Sequence, residues 1–142
     1  MGTNMKNTLF AFFLLSWLFT LGCQSVSEKA ASVQPLAENA PVPPYQDLLS
    51  RARNQSSVAT ESFFINNWAE LEDAAKGLEQ TSRLMSKSGD MPENKKEAIL
   101  AASSDLNREA AKLKEACRTK NEAEVNTQLQ KITLKIRELR IN

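Results

Sequence analysis

From Tyr45 onward, apolar and small residues return every three or four positions, and they do so in four separate runs. The first run is Tyr45, Leu48, Leu49, Ala52, Ser56, Ala59 and Phe63, and the second is Leu71, Ala74, Ala75, Leu78, Ser82 and Met85. Ile99, Ala102, Leu106, Ala110, Leu113 and Cys117 make the third, and Val125, Leu129, Ile132, Ile136 and Leu139 the fourth. This spacing stacks each run on one side of an α-helix. It predicts helices over about 44–64, 67–87, 90–118 and 121–142. The breaks have their own signals. Asn67 with Glu70, and Asn121 with Glu124, fit capping boxes, in which the Asn side chain accepts from an early amide and the Glu reaches back. Between the second and third runs, Gly89 is placed for a left-handed cap and Asp90 with Glu93 is placed to open the next helix. Between the first and second runs no Gly or Pro intervenes, and Phe63, Asn67, Leu71 and Leu78 also fit one long helix. Three helices with a long first one therefore stand as the alternative to four.

None of these helices is stable alone. Each must bury three to four aliphatic side chains at roughly 1.5 to 3 kcal/mol apiece, which requires the stripes to pack on one another. Short connections make sequential helices antiparallel neighbours. The expected fold is all-α, an up-down antiparallel four-helix bundle over 44–142, with no internal repeat to suggest a solenoid.

The chain before the bundle follows a different pattern. Lys6 precedes an uncharged, mostly apolar stretch from Leu9 to Leu21 that ends at Gly22-Cys23, the layout of a secretory signal peptide at 1–22. A spanning helix needs roughly twenty apolar residues, and this stretch is shorter. Met1-Gly2 does not make a myristoylation start, because Lys6 stands where Ser or Thr is required, and Met5 is the start that fits. Residues 24–44 are rich in Ser, Ala and Pro, end in Pro41-Val42-Pro43-Pro44 and show no periodicity, so 23–43 reads as a flexible tether.

Thr20-Leu21-Gly22-Cys23 resembles a bacterial lipobox, in which the Cys becomes the lipidated first residue of the mature chain. Thr20 and Leu21 depart from the usual order of Leu followed by a small residue. Thr20 and Gly22 also suit ordinary signal peptidase, which would leave Cys23 as a free or disulfide-bonded thiol. Lipidation at Cys23 implies a membrane partner through the lipid anchor. Gln24 follows where an inner-membrane retention signal would place Asp, so the resemblance to known sorting implies the outer membrane, facing the periplasm.

Composition narrows the chemistry. The chain carries 18 Lys and Arg against 17 Asp and Glu, and removal of Lys6 with the leader leaves seventeen of each. This balance makes no electrostatic case for nucleic acid. With no histidine in the chain, His-ligated zinc or haem and His-dependent nucleophilic catalysis are excluded. Cys117 is the only thiol beyond the leader junction, so no disulfide framework forms within the bundle. On its stripe it reads as a small apolar filler without an activating neighbour.

The pattern Trp68-x-x-Leu71-x-x-Ala74-Ala75-x-x-Leu78, the hairpin that follows and the terminal Ile132 to Arg140 segment are similar to cytochrome c-prime and the soluble four-helix b-type cytochromes. The similarity spans about 45–140 and is one of pattern and length. Those families ligate haem through a His of the last helix, within a C-x-x-C-H motif in the c-type members; here Leu134-Lys135-Ile136-Arg137-Glu138 has neither Cys nor His. The resemblance thus implies a haem-less scaffold with no catalytic, metal or cofactor residue carried over.

Three clusters are candidates for function. Phe63, Phe64 and Trp68 would line a pocket for a flat apolar ligand or, more commonly, plug the end of the core. Glu70, Glu72 and Asp73 would form a carboxylate metal site or a solvated acidic first turn favoured by the helix dipole. Lys131, Lys135, Arg137 and Arg140 would meet lipid headgroups or an acidic partner, or simply answer the dipole of a helix C-terminus. The expected function is that of a non-enzymatic envelope lipoprotein, without cofactor, that binds a protein or small molecule or pairs as a homodimer. The alternative is a cytochrome c-prime-like carrier holding a cofactor non-covalently.

Overall fold

Four helices, α1 (Tyr45–Phe64), α2 (Trp68–Met85), α3 (Lys96–Arg118) and α4 (Glu122–Glu138), fill the computed structural model, which describes residues 33–37 and 39–140. The leader, Cys23 and the first part of the tether lie outside the described residues. A single 3-10 turn, Glu93–Lys95, leads into α3. Each helix packs along the next, and α4 returns to α1 along a thinner seam. The result is the up-down four-helix bundle; the break after Phe64 removes the alternative of a long first helix.

The break has a local cause that recurs at the same end of the bundle. Among the described residues, Asn66 and Lys120 are the non-glycine ones with positive φ, at 56° and 51°. At the first corner the Asn66 amide donates to Phe63 O (3.1 Å) and the Asn67 amide to Ser62 O (2.8 Å). At the second, Lys120 donates to Cys117 O (3.1 Å) and Asn121 to Ala116 O (3.0 Å). These are Schellman closures with one residue in the left-handed region. The next residue is already the cap of the following helix: Asn67 Oδ1 accepts from the Glu70 amide and Asn121 Oδ1 from the Glu124 amide. Helix end and helix start thus share three residues, and the chain reverses without a Gly or Pro.

The opposite end is built differently from expectation. Gly89 does not take a left-handed conformation, since no glycine among the described residues has positive φ, and α2 closes at Ser86 in ordinary helical geometry. Asp90 does not cap α3, whose start at Lys95 has no side-chain cap. Instead Asp90 Oδ1 accepts the Tyr45 amide at 2.8 Å and the Ser88 hydroxyl at 2.6 Å. Pro44 has no side chain able to cap α1, so the connection between α2 and α3 supplies the acceptor from across the bundle end.

The stripes form the core as the periodicity predicts, with Leu48, Leu71, Leu78, Leu106, Leu113 and Ile132 among its fully buried members. Phe63 is the exception, half-buried against the core while Ser62 goes inside. Gln55 is also fully buried, and it reaches α2 where Gly77 leaves room: a Cβ at Gly77 would stand 2.7 Å from Gln55 Nε2. Tyr45 is buried at the other end and donates its hydroxyl to Leu139 O at 2.5 Å, joining the start of α1 to the close of α4.

Candidate functional site

Segment 33–37 does not leave the bundle freely. Residues 35–37 lie in neither helix nor strand, so their backbone polar groups need partners from elsewhere, and α2 supplies them. Gln80 Oε1 accepts the Leu36 amide at 2.9 Å while Gln80 Nε2 donates to Leu36 O at 2.8 Å, so one side-chain amide satisfies both polar groups of one peptide residue. The Arg51 guanidinium of α1 donates to Gln34 O. Val33 and Leu36 turn their side chains against the core cluster. From Tyr45 the chain has therefore doubled back over α1 and α2, and Val33 and Pro35 form one wall of a groove of about 780 Å³ whose other wall is Asn67, Ala69, Asp73 and Gly77.

The aromatic cluster at the α1–α2 corner divides: Phe63 and Trp68 pack against the end of the core, as a plug does, and Phe64 does not. Phe63 and Trp68 are half-buried and meet edge to face, with centroids 6.2 Å apart, and Phe64 stacks obliquely on Phe63 at 5.9 Å. Phe64 itself is 76% exposed and Ile65 69% exposed. The helix ends at Phe64, and the Schellman turn swings the next residues away from the stripe, so two large apolar side chains project from this end of the bundle.

The acidic candidates part company. Glu70 Oε2 accepts from the Ser62 hydroxyl (2.9 Å) and the Asn67 amide side chain (3.0 Å), locking the corner. Glu72 pairs with Lys76 at 3.1 Å and Arg118 at 3.4 Å, and Lys76 chiefly, then Arg118, holds its carboxyl below the usual range. Asp73 shares Lys76 at 3.1 Å. Among the described residues no group of three or more Cys, Asp and Glu side chains converges to hold a metal ion. Of the basic candidates, Lys135 bridges Asp105 (3.2 Å) and Glu138 (2.9 Å) and Lys131 approaches the buried Glu109 at 4.0 Å, so both serve the α3–α4 contact. Arg137 and Arg140 lie on the same helix end and its exit.

Cys117 is a free, buried thiol pushed up to about 11 by burial and by the carboxylate of Glu72, the reverse of what a reactive cysteine needs. A smaller cleft of about 250 Å³ opens between α2 and α3 at Ser82, Ser86, Ser103 and Asn107. Asn107 spans it, donating to Glu79 O (2.8 Å) and Ser82 Oγ (3.1 Å), and so ties the two helices together. No helix among the described residues is long and apolar enough to cross a membrane.

Sequence reading singled out the aromatic corner but missed the groove. The only available signal was Gln80, a polar residue between Gly77 and Thr81 on the α2 face flanking the stripe. No family model matches the chain, and no curated protein or solved structure matches it either.

Proposed function

We propose that this is a non-enzymatic lipoprotein of the bacterial envelope, anchored through Cys23 in the outer membrane facing the periplasm, whose bundle binds an extended segment of another protein. The observation that carries the binding half of this reading is the groove on α2, where Gln80 holds the backbone of the protein's own Leu36 through both its amide and its carbonyl, a seat that a partner's segment would take by displacing this strap. Backbone recognition of this kind accepts any extended chain, and side-chain pockets beside it give selectivity. The apolar leader ending at Gly22-Cys23 supports the anchor.

Two experiments test the two halves separately. Cys23→Ser is expected to move the protein from the membrane to the soluble fraction; unchanged membrane retention would sink the anchor. A photo-crosslinking amino acid at Asp73, on the groove wall, is expected to give one discrete adduct in intact envelopes, lost on Gln80→Ala. Adducts confined to the protein's own chain would remove the partner. A Soret band in protein from the native host would replace this reading with that of a cofactor carrier.

A further inference from the structure

We propose that the Phe64–Ile65 corner enters the lipid interface and sets the orientation of the anchored bundle, with the α1–α2 end facing the membrane. Phe64 and Ile65 are among the most exposed large apolar residues described, and they are consecutive. They do not dangle. The corner is fixed by the Asn66 and Asn67 backbone closures and by Glu70, which grips both Ser62 and Asn67. Behind the tip, Phe63 and Trp68 form a T-shaped pair that keeps it from folding back onto the bundle.

Size argues against a protein covering this tip. Two such side chains offer on the order of 300 Å² of apolar surface, whereas a stable dimer buries about 800 Å² on each partner. An apolar wedge of that area suits a lipid surface to which the protein is already held, where no association entropy remains to be overcome. The course of the chain supplies the hold. Val33 lines the groove that also reaches Asn67 and Ala69, beside the tip. Ten positions separate Val33 from Cys23, a reach of up to about 35 Å. A lipid on Cys23 can therefore share one bilayer surface with Phe64. The charges at this end define which surface. At this end of the bundle Glu61, Glu70, Glu122 and Glu124 outnumber Arg118 and Lys120, so zwitterionic headgroups suit it and anionic ones oppose it. This inference rests on the anchored reading above.

Trp68 provides the test, because the only other tryptophan, Trp17, lies in the leader that is removed when Cys23 becomes the first residue. The mature protein, which begins at Cys23, is reconstituted in phosphatidylcholine vesicles with acyl chains brominated near the headgroup. Expected is a blue-shifted, bromine-quenched Trp68 emission that weakens when anionic lipid replaces part of the phosphatidylcholine. Changing Phe64 and Ile65 together to Ser, which leaves the core untouched, should abolish most of the quenching. It should also lower vesicle binding of the Cys23→Ser form about tenfold or more. Leu134→Ser, at a 53% exposed apolar position on α4, should change neither. Absent quenching, quenching indifferent to the double change, or a blue shift that follows protein concentration instead of lipid would overturn the proposal, the last pointing to a second copy. Mass spectrometry of the Cys23 peptide separates the two levels. Unmodified Cys23 with quenching removes the anchor and leaves the tip, and lipidated Cys23 without quenching does the reverse.

Discussion

Tyr45 is held at both ends of the residue: its amide by Asp90 and its hydroxyl by Leu139 O. Burial pushes the phenol up to about 12, with Arg53 opposing. The folded state thus keeps a proton that an unfolded tyrosine gives up near 10, and stability is full below pH 10 and falls as pH rises toward 12. The span is worth about 2 to 3 kcal/mol. Cys117, pushed from 9.0 to about 11 by burial and Glu72, adds a second loss beginning near pH 9. Tyr45→Phe is expected to cost about 1 to 2 kcal/mol at neutral pH, because Leu139 O loses its donor. It should also flatten the loss between pH 10 and 12 in urea titrations, and an unchanged alkaline limb would refute the assignment. A second residue-scale test concerns Gly77. Alanine there should gain helix propensity of about 1 kcal/mol, yet its Cβ would stand 2.7 Å from the side chain of the buried Gln55. Gly77→Ala is therefore expected to destabilise, and Gln55→Ala to relieve it, giving a coupling of about 1 kcal/mol or more in a double-mutant cycle. Additive effects would show that Gln55 has another place to go.

At the scale of the element, the two corners explain why α1 and α2 separate and α3 and α4 do the same. Lys120 takes the left-handed region without glycine's freedom or asparagine's tolerance, at a cost of about 1 to 2 kcal/mol. Lys120→Gly should raise stability by about 0.5 to 1 kcal/mol, the strain relief less the entropy that glycine adds to the unfolded chain. Asn66→Gly should gain less, and equal gains would contradict the argument. These corners also mark the boundary of what the sequence makes legible. The apolar stripes and the Asn-Glu caps are local signals, so the four helices and most of the core could be read directly. Gly89 and Asp90 misled because the capping need lay at α1, some forty-five positions away, where Pro44 left an amide without a local acceptor. Phe64 was read as a plug because its neighbour Phe63 lies on the stripe; which of the two points inward depends on where the helix stops. Gln55 gave no signal and Gln80 only a faint one, since their roles depend on the missing Cβ of Gly77 and on a strap from far along the chain that crosses α2.

For the whole molecule the packing is uneven. α1, α2 and α3 adjoin their sequence neighbours closely, whereas α4 leans on α3 and meets α1 along the thinnest seam. The α3–α4 contact is strengthened by Lys135 on Asp105 and Lys131 on Glu109, but α1 and α4 are joined at their shared end chiefly through the Tyr45 hydroxyl. An uneven seam of this kind opens first, because partial unfolding follows the region that buries least and bonds least. α4 is expected to exchange its amide hydrogens through an opening that costs less than global unfolding, while the α2–α3 pair, tied by Asn107 and by Lys114 on Glu79, exchanges only with the whole. Tyr45→Phe should then lower protection in α4 and in the first turn of α1 while leaving the rank order of α2 and α3 intact. Uniform protection along all four helices, unchanged by that substitution, would mean that the bundle opens as one unit and that the seam is no weaker than its neighbours. The difference bears on the bundle's work at a surface. A helix pair that stays closed beneath the groove and the Phe64 corner keeps both in shape while α4, on the far side, breathes.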